Sequence, residues 1–138
     1  MARSQLTVDL GAIRRNAATL LRVLNGAELW AVVKADGYGH GAVDVGAAAL
    51  RAGASALCVA TVPEALALRD AAGPARILVM GPAAPAEVAS ARDASLELVV
   101  SGGRIPDGVP VHLKLDTGMG RWGLAELPTP GRRLFSHS

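Results

Sequence analysis

Two lysines in this chain stand where an amine has chemistry open to it. Lys34 closes the apolar run from Leu29 to Val33 and opens the segment Ala35-Asp36-Gly37-Tyr38-Gly39-His40-Gly41, with glycine at every second position from 37. A lysine withdrawn from water has a depressed pKa and becomes a nucleophile toward carbonyl groups. Glycines beside it let backbone N–H groups approach a bound anion. Together they predict an amine next to an anion cradle, as a carbonyl cofactor carrying a phosphate requires. The spacing is neither Gly-x-Gly-x-x-Gly nor a P-loop, which ends in Gly-Lys-Ser/Thr. Lys114 sits between Leu113 and Leu115, ahead of Asp116-Thr117-Gly118-Met119-Gly120-Arg121-Trp122-Gly123. Strand alternation puts its side chain on the face opposite both leucines. A buried ammonium there requires a partner or a modification that changes its charge. Arg121 is suited to a bidentate pair with a carboxylate, and Asp116 to a turn.

The basic residues sharpen this reading. Of the 14 Lys and Arg residues only Lys34 and Lys114 are lysine, so a surface cation is ordinarily arginine here. The arginines are scattered and the net charge is only +2, which gives nucleic-acid binding little support. Hydrophobic residues make up 51% of the 138, mostly Ala, Val and Leu, enough for one domain with a sizeable core. No apolar run reaches the ~18 residues that cross a bilayer. No secretion signal is evident at the N-terminus, and the lone Cys58 fits a reducing cytoplasm. No metal site is expected.

The elements that must position the lysines can be read from periodicity. Leu6 to Leu10 alternates like a short strand, with Asp9 placed to cap the next helix. Ile13, Ala17, Leu20, Leu21 and Leu24 recur at helical spacing up to Asn25-Gly26. Ala42 to Leu50 predicts a second helix, and Thr61-Val62-Pro63-Glu64 is a capping box opening a third that runs to Gly73. Pro85 to Arg92 predicts a fourth. Buried strands are expected near residues 29, 56, 76, 96 and 110, whereas 101 to 108 is too short and too rich in Gly and Pro for a helix. Apolar strands with helical crossovers indicate a parallel sheet, either a barrel or a doubly wound sheet. Both architectures carry their chemistry past the C-terminal ends of the strands, where both lysines fall. Leu134 to His137 hints at a further strand.

The two lysine stretches also resemble a known family. Val33-Lys34-Ala35-Asp36-Gly37-Tyr38-Gly39-His40-Gly41 is similar to the signature around the pyridoxal phosphate lysine of alanine racemases, and Lys114-Leu115-Asp116-Thr117-Gly118-Met119-Gly120-Arg121 to the family's second signature. Val59 to Ala65 with Leu68-Arg69, and Val8 to Asn16, match in the same order, so the likeness covers residues 6 to about 124. The resemblance implies an α/β fold: a partial (β/α)8 barrel of about five to six strands, without the family's C-terminal β domain, to which the strand within residues 1–10 would belong. Residues 125–138 would form an irregular tail.

By the same resemblance Lys34 would hold pyridoxal 5'-phosphate as an internal aldimine and serve as one of two opposed bases. Tyr38 would lie by the cofactor phosphate. Lys114 would be the lysine carbamylated in many members, orienting Arg121, which contacts the cofactor and helps place the substrate carboxylate. His137 faintly resembles a histidine near the cofactor. The opposite-face base would be a tyrosine of the partner subunit in a homodimer with shared active sites. The implied activity is cytoplasmic interconversion of L- and D-alanine for peptidoglycan, with these 138 residues inactive alone. The alternatives are a racemase of broader substrate range and a non-catalytic pyridoxal-phosphate-binding barrel protein.

Overall fold

A computed structural model describes residues 3–102 and 105–126. Five strands, β1 (Trp30–Val32), β2 (Ala56–Val59), β3 (Arg76–Val79), β4 (Glu97–Val100) and β5 (Val111–Leu113), form one sheet in the order β1-β2-β3-β4-β5. Every pairing is parallel. A doubly wound sheet reverses its strand order at a switch point. This order never reverses, so of the two architectures left open by strand spacing the chain adopts the barrel wall.

The connections behave as their residues dictate. Helix α1 (Leu10–Val23) is capped by Asp9, whose Oδ1 accepts the Ala12 N–H at 3.0 Å. The strand expected over Leu6 to Leu10 is not formed: among the described residues no strand pairs with it, Leu6 is 81% exposed, and Leu10 is already helical. Alternation alone does not hold a strand without a ladder. Five residues, Lys34–Tyr38, form a single turn, α2, and α3 (Ala42–Arg51) comes after it and packs against α1. Helix α4 (Val62–Ala72) starts in the anticipated capping box and ends at Gly73. A 3-10 turn over Pro85–Glu87 leads into α5 (Val88–Asp93). Between β4 and β5 the described residues hold no helix, as expected. Leu134 to His137 lies outside the described residues.

The parallel register sorts side chains by parity. Ala31, Val33, Leu57, Val59, Ile77, Val79, Leu98 and Val111 point outward and meet Val62, Ala65, Leu68, Ala72 and Ala91 of the helices in the main core. The other parity carries Trp30, Cys58, Arg76, Leu78, Glu97 and His112, because Trp30 pairs with Ala56, Ala56 with Arg76, Leu78 with Glu97, and Val99 with His112. This is the inward face of the wall. Four parallel spacings in a flat sheet would separate β1 from β5 by about 19 Å. Yet the Trp30 and His112 rings meet edge to face at 5.7 Å between centroids, so the sheet is strongly curled.

A polar layer holds that curl near the N-terminal ends of the strands. Glu97, 8% exposed, accepts from Arg76 Nε at 2.5 Å and Nη2 at 2.9 Å, and lies 2.6 Å from His112 Nε2. The Arg76 guanidinium stacks 4.5 Å from the Trp30 ring centroid. The buried Glu97 charge thus has partners, the condition for burying it at all. Cys58 belongs to the same inward face; burial, then the Glu97 charge, pushes its thiol up to about 11, so it stays protonated and inert.

The Arg76 hydrogen bonds, with those of His112 against an opposing effect of burial, hold the Glu97 carboxyl below its ordinary 4.5. A carboxylate with a depressed folded-state pKa contributes stability that is present above its unfolded value and is lost as pH falls through the folded one. Acidification from about pH 6 to about pH 3 is therefore expected to lower the thermal midpoint of the wild type more than that of Glu97→Gln. Equal losses in a pH series of melting curves would contradict the pairing.

Candidate functional site

Parity carries the two lysines to one rim. Lys34 comes directly after Val33, whose N–H still reaches the Cys58 carbonyl at 2.8 Å, and the Lys114 N–H donates to the Val100 carbonyl at 2.9 Å. Both therefore sit at the C-terminal ends of their strands with inward parity, Lys34 on the first strand of the wall and Lys114 on the fifth. Each is partly exposed. Among the described residues Lys34 Nζ has no carboxylate or carbonyl partner; it lies 5.9 Å from the centroid of the Tyr38 ring. Tyr38 itself is 59% exposed. Lys34 thus presents an amine beside an aromatic ring.

Past Lys34 the backbone enters a left-handed turn. Ala35, Asp36, Gly37 and Tyr38 have φ of 50°, 53°, 63° and 56°. Left-handed conformation costs an L-residue on the order of 1–2 kcal/mol, and only one of these four is glycine. Hydrogen bonds offset the strain. Asp36 Oδ1 accepts the Ala42 N–H at 2.8 Å, tying the turn to the start of α3. His40 Nδ1 lies 3.1 Å from both the Gly37 and Tyr38 carbonyl oxygens, so it donates to them. Glu64, reaching across from α4, accepts the Ala35 N–H at 2.8 Å.

This geometry corrects the anion cradle expected from the glycines. The N–H groups of Ala35, Gly37, Gly39, His40, Gly41 and Ala42 are all committed within the protein. The glycines serve the backbone instead. Gly37 is buried, and a Cβ there would stand 3.2 Å from the Ala42 nitrogen. Gly39 and Gly41 have φ of 82° and 87°.

The second site is a closed loop. The Asp116 N–H donates to the Leu124 carbonyl at 2.9 Å and the Leu124 N–H to the Lys114 carbonyl at 2.8 Å. Within it, Asp116 Oδ1 accepts from the Gly118 and Gly120 N–H groups at 3.0 and 2.9 Å. Those two backbone donors, Gly120 first, hold the Asp116 carboxyl below its ordinary range. Asp116 is thus the turn residue that its position suggested. A Cβ on Gly123 would collide with the Asp116 backbone, so glycine lets the loop close. Arg121 is exposed, and no hydrogen bond joins it to Lys114 among the described residues. Lys114 Nζ instead lies 5.9 Å from the Trp122 ring centroid.

Two contributors escaped sequence reasoning. Trp122 leans over the end of β3: a Cβ on Gly81 would lie 3.7 Å from its ring and 2.5 Å from the Ala60 carbonyl oxygen. Its only sequence signal was an aromatic residue in a chain with few of them. Glu64 was legible as a capping residue but not as a contact of the Lys34 turn. A groove of about 400 Å³ lined by Pro82, Val88, Arg92 and Val99 lies by the C-terminal ends of β3 and β4 and includes none of the signature residues. His137 lies outside the described residues.

A strand-terminal amine on the inward rim of a parallel wall with helices outside defines the C-terminal mouth of a βα barrel, where such barrels carry their chemistry. The chain belongs to the alanine racemase family: residues 8–130 match the model of the alanine racemase N-terminal domain. It is 50% identical over 129 residues to the alanine racemase of Halalkalibacterium halodurans, covering 85% of this chain and 33% of that one. Against the alanine racemase of Symbiobacterium thermophilum it is 43% identical over 140 residues, covering 92% and 37%. The chain therefore spans about a third of the length of these curated relatives. The solved alanine racemase of Bacillus anthracis, with bound L-Ala-P, superposes with a TM-score of 0.79 at 38% identity, covering 86% of this chain and 34% of that one. That of Streptomyces coelicolor gives 0.77 at 38%, covering 91% and 36%.

The left-handed turn has a direct test. Valine at position 37 would combine a β-branched side chain, a φ of 63° and a 3.2 Å approach to Ala42. Gly37→Val is expected to destabilise the chain by about 1–3 kcal/mol in chemical denaturation, and an unshifted midpoint would contradict the turn.

Proposed function

We propose that this chain is the lysine-bearing barrel part of an alanine racemase that interconverts L- and D-alanine with pyridoxal 5'-phosphate carried on Lys34. The observation that carries the reading is Lys34 itself: a rim amine without a carboxylate or carbonyl partner among the described residues, facing the Tyr38 ring. An amine engaged in an ion pair would have to break it before meeting a carbonyl; this one does not. The donor set fits the cofactor, whose aldehyde takes an amine and whose flat ring suits an aromatic neighbour. When bound, the cofactor supplies an electron sink that makes an amino acid's α-proton removable.

The chain's own residues supply position and proton handling. Lys34 serves as the base on one face of the substrate, holding at Nζ the proton taken from the α-carbon. Tyr38 would help hold the phosphate group. The committed backbone amides of the Lys34 turn leave the phosphate to be held by side chains and by amides outside that turn. Arg121, exposed on the Asp116 loop, is free to swing toward the cofactor and the substrate carboxylate. Carbamylation of Lys114 would replace its positive charge with a negative one and give Arg121 an anion to pair with. The base for the other face would come from a second subunit, in a homodimer acting in the cytoplasm to supply D-alanine for peptidoglycan. No helix among the described residues is long and apolar enough to cross a membrane.

Incubation with pyridoxal phosphate followed by borohydride reduction is expected to label Lys34, read by peptide mass mapping. Label on another residue, or none in a folded sample, would overturn the assignment. Lys34→Ala made in the complete racemase of which this chain is the barrel part is expected to lose at least roughly a hundred- to ten-thousandfold in racemisation, the span that general acid–base groups contribute.

A further inference from the structure

Glu64 does more than its capping box requires. A capping box needs the glutamate to accept one N–H, that of the N-cap residue. Here Oε2 takes the Thr61 N–H at 3.1 Å and also the Ala60 N–H at 2.8 Å, while Oε1 crosses to the Ala35 N–H at 2.8 Å. One carboxylate thus gathers three backbone donors from the ends of two neighbouring strands. Burial pushes its pKa up, but the Ala35, Ala60 and Thr61 N–H groups outweigh that and hold it below its ordinary value.

The Ala35 N–H belongs to the peptide plane between Lys34 and Ala35. The orientation of that plane is set by ψ of Lys34 and φ of Ala35, the two torsions where the chain leaves β1 and enters the left-handed turn. Fixing the plane fixes how the Lys34 Cα–Cβ bond leaves the strand end. Ala35, at φ 50°, has no steric reason to stay left-handed. We infer that Glu64 is a positioning residue for Lys34: its carboxylate locks the Lys34–Ala35 peptide to the end of β2 and so aims the amine into the barrel mouth without touching it. The inference rests on Lys34 being the cofactor-bearing amine.

The test carries Glu64→Asp, Glu64→Gln or Thr61→Ala in this chain for amine reactivity, and in the complete racemase of which it is the barrel part for turnover. Aspartate keeps a carboxylate at the start of α4 but is one methylene too short to span to Ala35. Glutamine keeps the length and has one acceptor oxygen for donors on two sides, so it serves if the aspartate variant does not fold. Thr61→Ala removes the hydroxyl that accepts the Glu64 N–H at 3.4 Å and leaves the Ala35 contact alone. Trace acylation with acetic anhydride across pH reads the reactivity of the Lys34 amine, with Lys114 as internal reference.

The Glu64 variants are expected to change the Lys34 rate relative to Lys114 and to shift its pH profile, whereas Thr61→Ala lowers the melting temperature only. In the racemase assay a misplacement near 1 Å can cost about a hundredfold. Glu64→Asp is therefore expected to lose about ten- to a hundredfold in kcat, with KM for alanine changing less than about threefold. Folded Glu64 variants whose Lys34 reacts as in the wild type would overturn the inference, as would changes that track melting temperature across all three. Failure of pyridoxal phosphate to label wild-type Lys34 would refute the cofactor reading instead, and the acylation comparison would still decide the role of Glu64.

Discussion

Everything in this chain hangs on the two-residue alternation of five parallel strands held in one register. Shifting any strand by a single residue would exchange its faces. Leu57, Ile77 and Leu98 would leave the helices, and Arg76 and Glu97 would enter the apolar core without partners. The same alternation delivers Lys34 and Lys114 to the inward rim. Core, polar layer and candidate site are therefore one decision taken once. Register is enforced from both sides, by an apolar face that must meet helices and a charged face that must meet itself.

The wall is tied differently at its two ends. Near the strand N-termini the ties are between side chains: Glu97 joins its neighbours through Arg76 and His112, and Trp30 meets both of those residues across strands that are not adjacent. At the C-terminal rim they are between side chains and backbone. Asp36, Glu64 and Asp116 each accept main-chain N–H groups, and among the described residues Lys34 Nζ keeps no carboxylate partner. Glu64, spent on the backbone, makes no ion pair with Lys34. A rim stabilised by ion pairs to Lys34 would be as firm and chemically idle.

Much of this was legible in the residues. Apolar runs bounded by Gly and Pro located all five strands, and Asp9 and Thr61-Glu64 marked two helix starts that the structure bears out. Local signals failed where the deciding partner was distant. Leu6 to Leu10 has the right alternation but, among the described residues, no strand beside it. Glycine spacing after Lys34 announced unusual backbone torsions, and only the hydrogen bonds reveal that those torsions close the loop on itself instead of opening it to an anion. Glu64 announced its cap three residues away and concealed its bond to a residue 29 positions earlier. The inward layer was invisible for the same reason: Arg76, Glu97 and His112 look like scattered surface charges until register places them together.

The order of the strands also bears on how the chain comes to be folded. Each strand pairs with the one synthesised immediately before it, so the wall can grow by adding one helix and one strand at a time, without waiting for distant sequence. Loops of this length close quickly and at modest entropic cost. The contact between Trp30 and His112 reaches furthest, because it joins the first strand to the fifth, whereas Arg76 over Trp30 joins the first to the third. It can form only after everything between them is in place. The curvature that this contact reports across the five strands therefore cannot be complete before β5 has joined the sheet.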